Sequence, residues 1–163
     1  MKKVLIPLAP GFEEVEALTA IDILRRAGAD VIIAGVIEGA IEGRNGIRVI
    51  PDTTLDNVIA DEFDMIVLPG GALGTENLKK DRRVKKILTA HNEKGAYIAA
   101  ICAAPAVLVA SGVSDGKTIT SHPSVRGELK RARITEERVA LDGNIITSQG
   151  PGTAMEFSFA LVE

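Results

Sequence analysis

Five apolar, β-branched runs punctuate the chain: VLIPL (4–8), VIIAGV (31–36), MIVLP (65–69), YIAAI (97–101) and NIITS (144–148). Several are apolar at consecutive positions instead of alternating, which is the pattern of strands covered on both faces. Between them the periodicity predicts helices over 13–27, 81–94 and 103–110, with a terminal helix over 153–162. Strands alternating with helices of this length predict a mostly parallel α/β sheet with helices on both sides. Two hairpins interrupt the alternation, one in AIEGRNGIRVIP (40–51) at Asn45-Gly46 and one in VALDGNIIT (139–147) at Asp142-Gly143. With no repeat, linker or low-complexity stretch, residues 1–163 read as one domain.

Composition removes several function classes. The net charge is −3, aromatics are 3% of the chain and no long basic run occurs, so no nucleic-acid partner is expected. The start, MKKVLIPLAPGFEE, has a short apolar run broken by Pro7 and Pro10 and followed by acids, and reads as a first strand rather than a signal peptide. No apolar segment approaches the roughly 20 residues of a membrane helix. One cysteine cannot form an internal disulfide, and a cytoplasmic location is expected. One cysteine and two separated histidines make no metal-ligand spacing.

Ligands of open parallel sheets bind beyond the carboxyl ends of the strands. Five unusual segments fall at predicted strand ends: APGFEE, LPGGALG, Cys102 after YIAAI, His122 after KTITS, and SQGPGT after NIIT. Cys102 admits two readings, a buried small hydrophobe or a thiol on a sharp strand-to-helix turn permitted by Ala103, Ala104 and Pro105. On the second reading, turn amides favour thiolate and set the thiol below its free pKa of about 8.5.

Wound as a helix, 13–27 puts Glu16 on one stripe with Ala20, Ile23 and Ala27, with Glu13 on the same arc and Glu14 at its edge. A carboxyl on an apolar stripe needs a partner or a proton, and burial raises its pKa so that it can donate to a neighbouring thiolate. The plainer account is that acids favour a helix N-terminus. His122 is either a proton shuttle or a surface-loop histidine, and His91, in the charged segment TAHNEKG, is expected to be solvated. Gly70 and Gly71 do not form a dinucleotide-binding pattern and are read as suppliers of backbone N–H groups.

In this order, LAPGFEEVEA, IDILRRAGADV, DMIVLPGGALGTENL, AAICAAPAVL, TSHPSV and TSQGPGTAMEF resemble the ThiJ/PfpI superfamily, nearest its DJ-one/YajL-like branch. The resemblance implies a flavodoxin-like three-layer α/β sandwich with Cys102 at a nucleophile elbow. It implies that Glu16 is hydrogen-bonded to Cys102, that His122 lies nearby, and that the amides of Gly71 and Ala103 face the sulfur. Glu13 would lie at the pocket rim. It further implies a homodimer through the first helix and the hairpin, with Val15 and Asn45 near the interface. The sequence departs from the pattern at Phe12, where relatives carry a smaller residue, and at Ile50, where they often carry a second cysteine. It ends at PGTAMEFSFALVE, where relatives continue into a further helix.

Three functions follow as expectations. The first is a cofactor-independent enzyme of glyoxalase or protein-deglycase type, acting on a small dicarbonyl such as methylglyoxal or on its early adducts with amines and thiols. The second is an oxidation-sensing or chaperone-like stress protein that uses Cys102. The third, a PfpI-type cysteine peptidase, is disfavoured because those relatives place a histidine directly after the nucleophile, where Ala103 stands. The glutamine amidotransferases are disfavoured too, since their late His-x-Glu pair has no counterpart in His122-Pro123-Ser124.

Overall fold

The computed structural model describes all residues, Met1–Glu163. In chain order the elements are β1 (Lys3–Leu8), α1 (Glu14–Arg26), β2 (Asp30–Gly35), β3 (Ile41–Glu42), β4 (Arg48–Val49), β5 (Thr53–Thr54), α2 (Leu55–Val58), β6 (Met65–Leu68), α3 (Ala72–Lys80) and α4 (Arg82–Glu93). They continue with β7 (Tyr97–Ile101), α5 (Pro105–Ser111), β8 (Thr118–Ile119), β9 (Arg133–Ile134), β10 (Val139–Asp142), β11 (Ile145–Ser148) and α6 (Ala154–Val162). Seven strands form one sheet in the order β10-β11-β7-β6-β1-β2-β5. Every pairing in it is parallel except β10 with β11.

Both faces of the central strands are covered, which is why β1, β2, β6 and β7 are apolar at consecutive positions. Val4, Ile6, Val67, Ala99 and Ile146 pack with Ala17, Ala20, Leu24 and Phe157 of α1 and α6. Their neighbours Leu5, Ile66, Leu68, Ile98 and Ile145 point the other way, into Leu78, Val84, Ile87, Leu88 and Leu108 of α3, α4 and α5. Period-2 alternation here separates two buried faces, not core from solvent. No helix is long and apolar enough to cross a membrane.

Three sequence expectations are corrected. The LPGGALG turn leads directly into α3, a helix the periodicity did not single out; Gly71 caps it at φ +93°. The segment KTITS does not join the main sheet: β8 pairs β9 in a separate two-stranded ladder. His91 is buried, 5% exposed, and not solvated. It continues the inner stripe Val84, Ile87, Leu88 of α4, with Nδ1 2.8 Å from the Ile87 carbonyl and Nε2 accepting the Phe63 amide at 3.1 Å. That pairing ties α4 to the strand entry of β6.

Candidate active site

The parallel sheet brings the ends of β1, β6, β7 and β11 to one edge, and Cys102 sits at the centre of it. Its backbone has φ +66°, one of two non-glycine residues in the left-handed region. Such a backbone costs free energy and persists where surrounding bonds determine it. Those bonds are present: Cys102 N–H donates to the Ser148 carbonyl at 3.0 Å, and the Cys102 carbonyl accepts from His122 N–H at 2.8 Å. Ala104 N–H closes on the Ile101 carbonyl at 3.1 Å, and Pro105 opens α5. The chain therefore turns from strand to helix within three residues and leaves the half-buried thiol at the bend.

Gly70 and Gly71 admit the neighbours of that thiol. A β-carbon on Gly70 would lie 2.6 Å from both Cys102 Cβ and Glu16 Oε1. One on Gly71 would strike the Gly11 carbonyl and sit 2.8 Å from Glu13 N. Without side chains, the β6–α3 loop lies flat against the start of α1, and Glu13 N–H donates to the Gly70 carbonyl at 3.0 Å. The backbone N–H groups of Gly71 and Ala103 act on the thiol in the direction that favours thiolate.

Glu16 is 1% exposed, and neither carboxyl oxygen has a hydrogen-bond partner of ordinary geometry. Burial pushes its pKa up to about 7, the charge of Glu13 adding to the rise; the Cys102 thiol, the Gly70 amide and Arg44 act in the opposite sense. The Cys102 thiol is pushed up to about 12, by burial first and then by the charge and hydrogen bond of Glu16. This opposes the sequence expectation of a thiol below 8.5, because a thiolate beside an ionised Glu16 would be a second buried negative charge. The two groups titrate as a pair: the first proton leaves in the neutral range and the second far above it. The Gly71 and Ala103 amides favour charge on the sulfur and the Gly70 amide favours it on Glu16, while burial opposes it on both.

Around this pair the start of α1 is more acidic and more buried than its helical arc implies. Glu13 is 6% exposed, accepting from Asn45 Nδ2 at 3.3 Å with Arg44 Nη1 at 3.8 Å. Glu14, placed by its arc at a margin, is 3% exposed. Its carboxylate accepts from Asn45 N–H at 2.8 Å, Asn45 Nδ2 at 3.2 Å and Ile47 N–H at 3.2 Å. The role of Glu14 was invisible in the helix, but the Gly43–Gly46 turn that receives it is marked by its glycines: a β-carbon on Gly43 would lie 2.7 Å from Glu14 Cγ.

His122 reaches the site through its backbone. Its ring is exposed, with Nδ1 2.7 Å from Ser124 Oγ and accepting Ser124 N–H at 3.2 Å. Phe12 fills the core between the sheet and α1 and does not line the mouth, and Ile50 is 80% exposed. No three His, Cys, Asp or Glu side chains gather to hold a metal ion. A cavity of about 720 Å³ lies at the other end of the sheet, against Leu24, Phe63, His91, Tyr97 and Leu161, away from the reactive groups.

Comparison with known proteins bears on the family and the fold. The model of the DJ-1/PfpI family matches residues 2–163. Protein dj-1beta of Drosophila melanogaster is 44% identical over 99% of this chain and 88% of its own length. Its crystal structure superposes with a TM-score of 0.97, covering 99% of this chain and 89% of that one. A Caenorhabditis elegans protein named glutathione-independent glyoxalase DJR-1.2 is 34% identical over 99% of this chain and 88% of its own. The solved structure of oxidized Toxoplasma gondii DJ-1 has a TM-score of 0.97 at 36% identity, covering 100% of this chain and 90% of that one.

Proposed function

The chain belongs to the DJ-1/PfpI family, and on that premise we propose that it is a cofactor-independent cysteine enzyme converting small reactive dicarbonyls, or their early amine and thiol adducts, to hydroxy acids. The observation that carries the reading is the left-handed Cys102 held against the buried Glu16 and two backbone amides. In this reading the two amides activate the sulfur and Glu16 serves as its acid. The relative named as a glyoxalase supports the substrate class.

On methylglyoxal, the Cys102 thiolate adds to the aldehyde carbon and the carbonyl oxygen takes a proton, giving a hemithioacetal. The hydrogen on that carbon leaves as a proton and is replaced by one on the neighbouring carbon, whose ketone becomes a hydroxyl. The first carbon is thereby oxidised and the second reduced, with no outside oxidant. The resulting thioester is cleaved by water to lactate and the free thiol. In this reading Glu16 gives and retakes the proton at the hemithioacetal oxygen, and the amides of Gly71 and Ala103 bear the developing negative charge. His122 joins if its ring turns from Ser124 toward the sulfur.

Methylglyoxal consumption with lactate detection, in buffers free of amines and thiols, tests the reading. Wild type turns over, and Cys102→Ser or Cys102→Ala does not while keeping its fold. Wild-type turnover in either variant sinks the reading. A second reading, oxidation sensing, is favoured by the half-buried single thiol, which has no resolving cysteine and therefore proceeds from sulfenic to sulfinic acid. A sulfinate oxygen could accept the Glu16 proton. Sulfinate formation after mild peroxide, in a protein without steady-state turnover, would select it.

A further inference from the structure

We propose that Glu14 is a positioning residue for the Cys102 pocket: its carboxylate clamps the β3–β4 hairpin to the first turn of α1, so that Arg44 and Asn45 stay over Glu13 beside Glu16. The proposal deepens the reading above and rests on it for the claim that Cys102 is the reacting group.

The clamp is built from one buried carboxylate and the tip of a hairpin. Asn45 N–H, Asn45 Nδ2 and Ile47 N–H all donate to Glu14. The tip is tied back by Arg44 N–H on the Phe12 carbonyl at 2.9 Å, and its base by Gly11 N–H on the Glu42 carbonyl at 2.9 Å. A β3–β4 ladder of only two residue pairs does not hold such a tip unaided. Gly43 packs so closely on Glu14 that no β-carbon fits between them. With the tip fixed, Arg44 Nη1 lies 3.8 Å from Glu13 Oε2 and Asn45 Nδ2 lies 3.3 Å from Glu13 Oε1. Glu16 follows three residues after Glu13 and two after Glu14, in the first turn of α1.

The charged and titratable groups that act on Glu16 come from every side of it. They are Cys102 from the elbow, Glu13 from the helix start and Arg44 from the hairpin, with the Gly70 amide from the β6–α3 loop. Arg44 is the sole cation among them. Releasing the hairpin removes that cation and leaves Glu13 uncompensated, and both changes disfavour negative charge on the Cys102–Glu16 pair. The sign is therefore fixed: the pH at which Cys102 becomes reactive moves up. A carboxylate that merely stabilised the fold would not move it.

The test is the rate of Cys102 alkylation by iodoacetamide against pH, which requires no dicarbonyl turnover and so fails or succeeds independently of the proposed reaction. Glu14→Ala raises the midpoint by roughly 0.3–1 pH unit, the effect of one partly screened charge at close range. Glu14→Gln, which keeps an acceptor for the hairpin amides, recovers part of the shift. Arg44→Ala, which leaves the clamp intact, reproduces it. The double variant Glu14→Ala/Arg44→Ala goes no further than Arg44→Ala alone. A Glu14→Ala protein that melts lower but reacts with the wild-type midpoint overturns the proposal, and so do fully additive shifts in the double variant. Should Glu14→Ala not fold, Glu14→Gln and Arg44→Ala still decide: unshifted midpoints in both overturn it.

Discussion

At the scale of single residues the site is an arrangement of one proton between two acids. Glu16 keeps a pKa of about 7 in the fold against 4.5 as a free group. Between those values the native state holds a proton that the unfolded chain has lost. Its contribution to stability is therefore present below pH 4.5 and is lost as pH rises through about 7. Relative to Glu16→Leu, wild type should lose up to about 3 kcal/mol across that window, read from urea unfolding at each pH. A constant difference would mean that Glu16 does not hold its proton. Gly70→Ala tests the contact itself. Its methyl would sit 2.6 Å from Cys102 Cβ and Glu16 Oε1, and the displacement should slow Cys102 alkylation and turnover roughly ten- to a hundredfold; wild-type rates would show that the pair tolerates separation. Glu16 was legible in the sequence because helical spacing alone puts it on the apolar stripe. Glu14 was not, because its partners come from a hairpin some thirty residues away (|i−j| of 31 for Asn45), and no local pattern reports such a partner.

At the scale of elements, five of the seven strands of the main sheet are readable from their apolar runs, β10 from its hairpin turn, and α1, α4 and α6 from their periodicity, whereas the two-residue β5 at the sheet edge carries no such run. The misses share a cause: tertiary partners override local character. α3 begins at a glycine whose φ of +93° is imposed by the close approach of Gly11 and Glu13, and its short polar sequence carries little periodic signal. His91 looked solvated among charged neighbours, yet it lies one turn beyond Ile87 and Leu88 on the inner face of α4. Replacing it by leucine keeps the apolar filling but leaves the Phe63 amide without its acceptor, which should cost about 1–3 kcal/mol. An unchanged urea midpoint for His91→Leu would contradict the tie between α4 and β6.

At the scale of the molecule, one face carries exposed apolar residues beside the hairpin: Val15 at 50%, Leu18 at 37% and Ile47 at 51%. Together with the family resemblance this supports a homodimer through α1 and β3–β4. Sedimentation should then give about twice the 17.2 kDa chain mass, with Val15→Lys shifting it toward the monomer; a monomeric wild type at micromolar concentration would count against the interface. The fold's larger task is to bring α1, the β6–α3 loop and the β7–α5 elbow to one sheet edge, where Glu16 and Cys102 hold a single charge. Thiolate absorbance followed against pH, in wild type and in Glu16→Leu, tests that claim most directly. In wild type the Cys102 thiolate should form in the neutral range, and losing the Glu16 donor should raise its apparent pKa by about one to two units. Identical curves, or a thiolate that forms more readily in Glu16→Leu, would show that Glu16 gives up its proton first and that the charge does not reside on sulfur.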